Sequence, residues 1–343
     1  MKGVLLAAGK GTRMLPLTEK RPKPLVPVLD RPILEHIILG ARDAGVDHFG
    51  LIVGHLGAMI EDYFGDGRGL GVRIDYIWQQ EAKGTGHAAL LAEEFVAGDV
   101  FFMSWGDIMV SPRNYTAVVG AFEGGKTDAV LSLNWVQDPC KGAAVYVKDG
   151  LVEKIIEKPD PGTSTTNYNN AGLFVYTAEL FDRLRRLKPS ARGELELPDA
   201  VQEMVREGKR IAAVPLEGYW SDVADPAAVI ELNATMLGDR YEGGLYVDRT
   251  AQVSPEATLE APCYVGPSCV VEGGAHVGPN AVLQRSCTMK AGAHFSEAAL
   301  LTGARVGGRA RVRYCLVEED AHVGEGEEFL GERRAPRVVQ PAV

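Results

Sequence analysis

The chain opens on Lys2-Gly3-Val4-Leu5-Leu6-Ala7-Ala8-Gly9-Lys10-Gly11-Thr12-Arg13-Met14. The apolar run Val4–Ala8 ends at once in glycine, lysine and arginine. That pattern reads as a buried strand emptying into a loop, not as an export signal. A glycine-rich loop directly after a strand offers backbone amides to phosphate. Its spacing differs from three familiar phosphate loops. A dinucleotide fingerprint starting at Gly9 needs a third glycine where Met14 stands, and a kinase-type glycine loop fails in the same way. A Walker loop ending on Lys10 needs Gly and then Ser or Thr where Val4 and Gly11 stand. Pro16, Pro22, Pro24 and Pro27 prevent a helix from following. The proline-held segment Lys20–Val28 is extended instead, and Lys23 sits on this stiff arm, close in sequence to Arg13.

Beyond this start, apolar strands alternate with helical patterns. Val4–Ala8, Phe49–Val53, Val72–Trp78, Val100–Ser104 and Ala129–Asn134 read as strands. Pro32–Ala44, Gly86–Glu94, Ala178–Leu187 and Pro198–Glu207 read as helices. Such alternation predicts an α/β layer on a mostly parallel, mixed sheet. Asp149-Gly150, between Val145–Lys148 and Leu151–Ile156, predicts an antiparallel hairpin with a type I′ turn.

From residue 251 the chain repeats every six residues. Small residues stand at Ala251, Ala257, Cys263, Cys269, Ala275, Ala281, Cys287, Ala293 and Ala299, each followed two places on by an apolar residue, Val253 through Leu301. The register then slips by one, twice, and runs on through Ala304, Ala310, Cys315 and Ala321. Hexads of this kind predict a parallel β-helix, each rung one flat side of a triangular coil. Four of the five cysteines occupy the small position, so they read as buried ladder residues, not as metal or redox groups. The expected organisation is a first domain at 1–235, a linker at 236–250, the repeat at 251–330 and a loose tail at 331–343.

The length of 343 residues fits about two domains. The net charge of −10 gives no broad electrostatic footprint for nucleic acid or an anionic membrane. No apolar run reaches the roughly 18 residues of a membrane span. The cytoplasm is therefore the expected compartment, and neither nucleic acid nor membrane is an expected partner.

Leu6–Met14 together with Pro22-Lys23-Pro24-Leu25 resembles the sugar-1-phosphate nucleotidylyltransferases, or nucleotide-sugar pyrophosphorylases. Further motifs in order extend the resemblance over about residues 1–235, and the hexads resemble the left-handed β-helix attached to many members. The resemblance implies a Rossmann-like nucleotidyltransferase sheet. It also implies a reaction, in which a nucleoside triphosphate and a sugar 1-phosphate give a nucleotide sugar and pyrophosphate. That chemistry needs cations on the leaving group, a cation by the α-phosphate and a hard metal on carboxylates.

The resemblance assigns Arg13 to the β- and γ-phosphates and Lys23 to the α-phosphate side, with Ala8, Gly9, Gly11 and Thr12 wrapping the nucleotide. Asp107, after the strand Val100–Ser104, and Asp222, in Trp220-Ser221-Asp222, resemble the family's magnesium ligands. Gln79 and the turn Gly84-Thr85-Gly86 would read a pyrimidine base, while His87 reads as a helix-start or packing histidine. Glu157 and Lys158, with Asn170 and Gly142, would hold the sugar and its phosphate. Cys140-Lys141 departs from the pattern, because many relatives carry an aromatic residue before that glycine.

Gly84-Thr85-Gly86-His87 looks most like N-acetylglucosamine-1-phosphate uridylyltransferases, and Glu157-Lys158-Pro159 more like glucose-1-phosphate thymidylyltransferases. UTP or dTTP, with glucose 1-phosphate or N-acetylglucosamine 1-phosphate, are the expected substrates. A mannose-1-phosphate guanylyltransferase and a non-catalytic nucleotide-sugar-binding subunit are alternatives. So is a second, acetyltransferase activity in the repeat with His276, His294 or His322 as base, but its one Asn and one Lys between 251 and 326, Asn280 and Lys290, argue against it. The flat sides of the repeat predict a homo-oligomer, a trimer first.

Overall fold

In the computed structural model, which describes residues 1–190 and 192–342, the opening run forms β1 (Lys2–Leu6), buried through its middle. After it come α1 (Ile33–Asp43), β2 (His48–Val53), α2 (Gly57–Phe64), β3 (Arg73–Trp78), α3 (Thr85–Leu90), α4 (Glu93–Val96) and β4 (Phe101–Trp105). Then follow α5 (Arg113–Gly120), β5 (Ala129–Trp135), β6 (Ala143–Lys148), β7 (Leu151–Glu157), β8 (Tyr168–Tyr176), α6 (Glu179–Arg186), α7 (Leu197–Arg206) and β9 (Ile211–Pro215). Helix α1 shows why these segments are helical. Ile33, Leu34, Ile37, Ile38 and Ala41 recur with the helical period, and each is fully buried.

The strands form one nine-stranded sheet in the order β3-β2-β1-β4-β8-β5-β9-β7-β6. β1 pairs parallel with β2 and β4, β2 with β3, and β5 with β9. β8 runs antiparallel to β4 and β5, and β7 antiparallel to β9 and β6. The sheet is thus mixed with most strands in one direction, as expected. Asp149 and Gly150, at φ 51 and 77, make the expected turn of the β6–β7 hairpin. One face of the sheet carries a core of Leu131, Leu133, Phe101, Phe174 and Tyr176 against Leu180, Phe181, Val201 and Met204. The helix expected at Gly86–Glu94 is two short ones, α3 and α4.

Contacts group the chain into two units, the first made of residues 1–10, 21–25 and 33–220, the second of 11–20, 26–32 and 221 onward. The second contains α8 (Pro226–Arg240), capped by Asp225, whose carboxylate accepts the Ala228 N–H. It also contains three all-parallel sheets, one of six strands and two of five, through which the chain passes in turn. This is the parallel coil the hexads predicted. Cys263, Cys269, Cys287 and Cys315 are fully buried in its core, and all five cysteines are free thiols.

Three expectations are corrected here. The register slip comes one rung earlier: Ala281 pairs with Ala298, so Ala298 and Leu300 face the core in place of Ala299 and Leu301. The expected linker, 236–250, contains the end of α8 and the strand Leu245–Val247, which pairs with Cys263–Val265. The expected loose tail contains the strand Arg337–Val339, which pairs with Cys315–Val317 and completes the last coil. No helix among the described residues is long and apolar enough to cross a membrane.

Candidate active site

The carboxyl ends of β1, β3, β4 and β7, with the loops after them, gather most of the singled-out residues of the first unit. Ala8 and Gly9 follow β1, and the Ala7 N–H donates to the Ile52 carbonyl at 2.8 Å, extending the ladder to the mouth of the loop. Lys23 starts a short 3-10 turn, Lys23–Leu25, and is only 7% exposed. A buried ammonium needs a partner, and Lys23 Nζ donates to Asp107 Oδ2 at 2.7 Å. Asp107 lies just past β4 with its side chain about a third exposed, at 36%. Two of the singled-out residues, far apart in sequence, are thereby brought together.

Gln79 follows β3, where its N–H donates to the Val53 carbonyl at 2.8 Å. Its side-chain amide meets His87 Nδ1 at 3.0 Å. His87 stands in the first turn of α3, and this contact joins it to Gln79. Gly84 has φ 99, and a Cβ there would lie 2.5 Å from the Leu195 carbonyl oxygen, so only glycine fits. The Thr85 hydroxyl accepts the Leu197 N–H at 3.1 Å, tying the turn to the start of α7.

The residues that the resemblance assigns to the sugar and its phosphate also converge. The Lys158 N–H donates to the Gly142 carbonyl at 2.9 Å. A Cβ on Gly142 would stand 2.6 Å from the end of the Asn169 side chain, so a larger residue there requires that amide to move. Glu157 ends β7, with Lys158 Nζ 3.9 Å and Arg192 Nη2 3.3 Å from its Oε1. Burial, then repulsion from Glu196, pushes the Glu157 carboxyl above its ordinary range, and Lys158 and Arg192 oppose that shift. Asn170 Oδ1 accepts the Gly172 N–H at 3.0 Å, while its buried Nδ2 has no partner among the described residues. Trp105 Nε1, at the end of β4, is likewise a buried donor without a partner among the described residues.

Gly11, Thr12, Arg13 and Asp222 belong to the second unit. There Gly11 takes φ 63, its carbonyl accepts the Thr18 hydroxyl at 2.9 Å, and Thr12–Met14 form a 3-10 turn with Arg13 exposed. Asp222 precedes Val223, whose N–H donates to the Ser221 hydroxyl at 3.1 Å. Among the described residues no cluster of three or more His, Cys, Asp or Glu side chains could hold a metal ion by itself.

Two residues escaped the sequence reading. Arg192 reaches Glu157 and also Glu196 Oε1, at 2.6 Å, but in sequence it is one arginine in a polar turn. Trp105 stood in view beside Gly106-Asp107, yet a tryptophan at a strand end reads as core.

The nucleotidyl transferase family model matches residues 2–238, and the GlmU-like C-terminal hexapeptide model matches residues 251–335. The low-salt glycan biosynthesis nucleotidyltransferase Agl11 of Haloferax volcanii is 37% identical over 262 residues, covering 76% of this chain and 71% of that protein. The bifunctional protein GlmU of Methanococcus maripaludis is 36% identical over 69% of this chain, and the match spans only 54% of its own length. The glucose-1-phosphate thymidylyltransferase of Streptomyces antibioticus is 35% identical, covering 71% of this chain and 69% of its own. Among solved structures, UDP-glucose pyrophosphorylase complexed with UDP-glucose shares the fold at a TM-score of 0.64 and 24% identity, covering 70% of this chain and 99% of that one.

Proposed function

The chain belongs to the nucleotidyl transferase family, and from that premise we propose that it transfers a nucleotidyl group from UTP or dTTP to glucose 1-phosphate or N-acetylglucosamine 1-phosphate, releasing pyrophosphate. The observation that carries this reading is the buried Lys23 ammonium held by Asp107 just past the carboxyl end of β4, where sheets of this class bind ligands. A phosphate oxygen of the sugar phosphate attacks the α-phosphorus, and the bond to the pyrophosphate oxygen breaks. Lys23 stabilises charge on the α-phosphate side, and Arg13 takes the β- and γ-phosphates through its planar fork. The backbone of Ala8, Gly9, Gly11 and Thr12 cradles the phosphates. Gln79, fixed by His87, meets the pyrimidine edge beside Gly84 and Thr85.

On the acceptor side Lys158 and Arg192 neutralise the phosphate. Glu157, Asn170 and the backbone of Gly142 take the sugar hydroxyls. The unpartnered Asn170 amide and Trp105 indole N–H support a polar ligand here, since buried donors normally have acceptors.

A hard divalent cation, Mg2+ first, suits this chemistry, and Asp107 and Asp222 are the carboxylates that the resemblance assigns to hold it. When bound, the cation neutralises developing charge on the phosphates. We place the transferase domain at about 1–235 and take the repeat to be left-handed and to assemble the chain into a homo-oligomer, a trimer first, in the cytoplasm. The test is pyrophosphate release from a panel of triphosphates against a panel of sugar 1-phosphates with magnesium. No release from any pair refutes the proposal.

The match to the GlmU-like hexapeptide region favours a second reading, acetyl transfer by the repeat. His276 is bound to Glu260 at 3.1 Å and stacked on His294, an arrangement of outward histidines without clustered lysines or asparagines. We expect no thiol release from acetyl-CoA with glucosamine 1-phosphate. Release above background that is lost in His294→Ala establishes the second reading.

A further inference from the structure

Within the first unit, Gln79 and His87 stand at the two ends of the exposed loop Gln80–Lys83, both half-buried. Each is held by its own backbone. The Gln79 N–H donates to the Val53 carbonyl at 2.8 Å, which fastens it to the end of β2. His87 belongs to α3, whose Ala88 and Ala89 are buried and whose Gly86 N–H donates to the Leu195 carbonyl at 2.7 Å. From these fixed positions the side chains meet, with Gln79 Nε2 3.0 Å from His87 Nδ1. An amide nitrogen can only donate, so Nδ1 is the bare, accepting nitrogen and the ring proton sits on Nε2. The opposite amide orientation would set Oε1 against the same bare nitrogen, acceptor against acceptor. The imidazole therefore selects one of two amide orientations, and turning the amide over requires the ring to carry a proton on Nδ1.

The selected orientation matters because an amide reads different pyrimidines with its two orientations. Gln79 Nε2 carries two hydrogens, one for His87 and one left for a ligand, and Oε1 is turned away from the ring. Uracil and thymine present an N3–H donor beside carbonyl acceptors, which an amide oxygen and an amide N–H match in that order. Cytosine presents a bare N3 beside an N4 amino group. The amide held as it is for uracil would set its oxygen against the N3 lone pair and its N–H against the amino hydrogens. We propose that His87 is a specificity-determining residue: by holding the Gln79 amide in one orientation, it selects UTP or dTTP over CTP. The inference deepens the proposed function and rests on the place given there to Gln79 at the pyrimidine edge.

The experiment measures kcat/KM for UTP, dTTP and CTP with the full chain, magnesium and saturating sugar 1-phosphate. His87→Phe keeps an aromatic ring on the helix and deletes the acceptor. Both amide orientations are then open to Gln79, and the preference for the better of UTP and dTTP over CTP should fall about 5- to 150-fold, the range over which a bidentate amide–base match discriminates. The KM for sugar 1-phosphate should stay within about twofold, since separate sites respond nearly independently. A purely structural role would lower the melting temperature and change all three triphosphates by one factor, leaving their ratio intact. Gln79→Leu should also lose the preference, and adding His87→Phe to it should change the ratio no further, because both act through one amide. An unchanged ratio in His87→Phe, or no preference over CTP in the wild type, overturns the inference. Gln79→Leu alone tests the underlying reading, since an unchanged ratio there removes Gln79 from the base whatever His87 does. Should His87→Phe fail to fold, His87→Asn, whose amide offers a donor as readily as an acceptor, enters the same comparison with the same two outcomes.

Discussion

Lys23→Met separates stability from rate at the centre of the site. Methionine keeps most of the buried stem and removes only the ammonium. Losing one partner of a fully buried ion pair costs about 3–5 kcal/mol, and exposed pairs are worth about 0–1 kcal/mol. The Lys23 side chain is 9% exposed and that of Asp107 36%, so water can reach the carboxylate left behind. The cost therefore falls between those limits, at about 1–2 kcal/mol. Against a domain stability of about 5–15 kcal/mol, the variant stays overwhelmingly folded at 25 °C. The rate should suffer far more. A preorganised donor aimed at transition-state charge is worth about 10²–10³ in kcat, or about 2.7–4 kcal/mol. The assay is pyrophosphate release at saturating substrates, with circular dichroism melts on the same samples. A kcat within threefold of wild type, beside a lowered melting temperature, would show that Lys23 only props up the Asp107 loop.

Asp107→Asn and Asp222→Asn should each cut kcat about 10²–10³-fold and raise the magnesium concentration needed for half-maximal rate; an unchanged magnesium titration removes that residue from the metal set. Glu157, held above the ordinary glutamate value, takes up its proton earlier than a solvated glutamate as the pH falls. The acid limb of kcat/KM for sugar 1-phosphate should thus lie above that ordinary value and disappear in Glu157→Gln. Because the native state binds this proton more tightly than the unfolded chain, the stability of wild type relative to Glu157→Gln should fall as pH rises through the native value, as urea melts would show. Phe295, 1% exposed in the core of the repeat, should cost about 3–5 kcal/mol as Phe295→Ala, read from urea unfolding.

The repeat was legible because its period repeats a physical requirement: a small residue at each corner and an apolar one inside. It failed where that requirement relaxes. At Glu297 and Tyr314, both in left-handed backbone at φ 49 and 50, the corner loses one residue, and neighbouring alanines at 298 and 299 leave the letters ambiguous. Arg337–Val339 carries Arg337 at the position that Cys315 fills one coil earlier and has prolines on both sides, so nothing in the letters marks the closing strand. Helix α8 did carry a signal, Asp225 followed by Pro226. Its apolar positions, from Val229 to Leu237, are broken by Asn233, whose polarity serves Leu29. Strand β8 opens on Tyr168-Asn169-Asn170-Ala171-Gly172, polar letters that read as a loop, because its end contributes to the candidate site. Of the site, the charged residues inside recognisable motifs were readable. Arg192 was not, since only the folded chain brings it to Glu157.

One arrangement recurs on both sides of the candidate site. Lys23 rests on Asp107, and Arg192 is shared between Glu157 and Glu196. Lys23 and Arg192 are thus each already paired with a carboxylate. Lys23 is 7% exposed, and a buried ammonium left without a partner is costly. An incoming phosphate would exchange partners with the paired ammonium instead of recruiting a bare ion. A carboxylate released by that exchange is stable only if another cation takes it, and a divalent ion arriving with the triphosphate would do so for Asp107. Triphosphate and metal should therefore bind with mutual assistance, each having the higher affinity when the other is present. That coupling should vanish in Asp107→Asn, where no carboxylate is set free; calorimetric titrations of triphosphate with and without magnesium that show the same enhancement in wild type and variant would exclude the exchange.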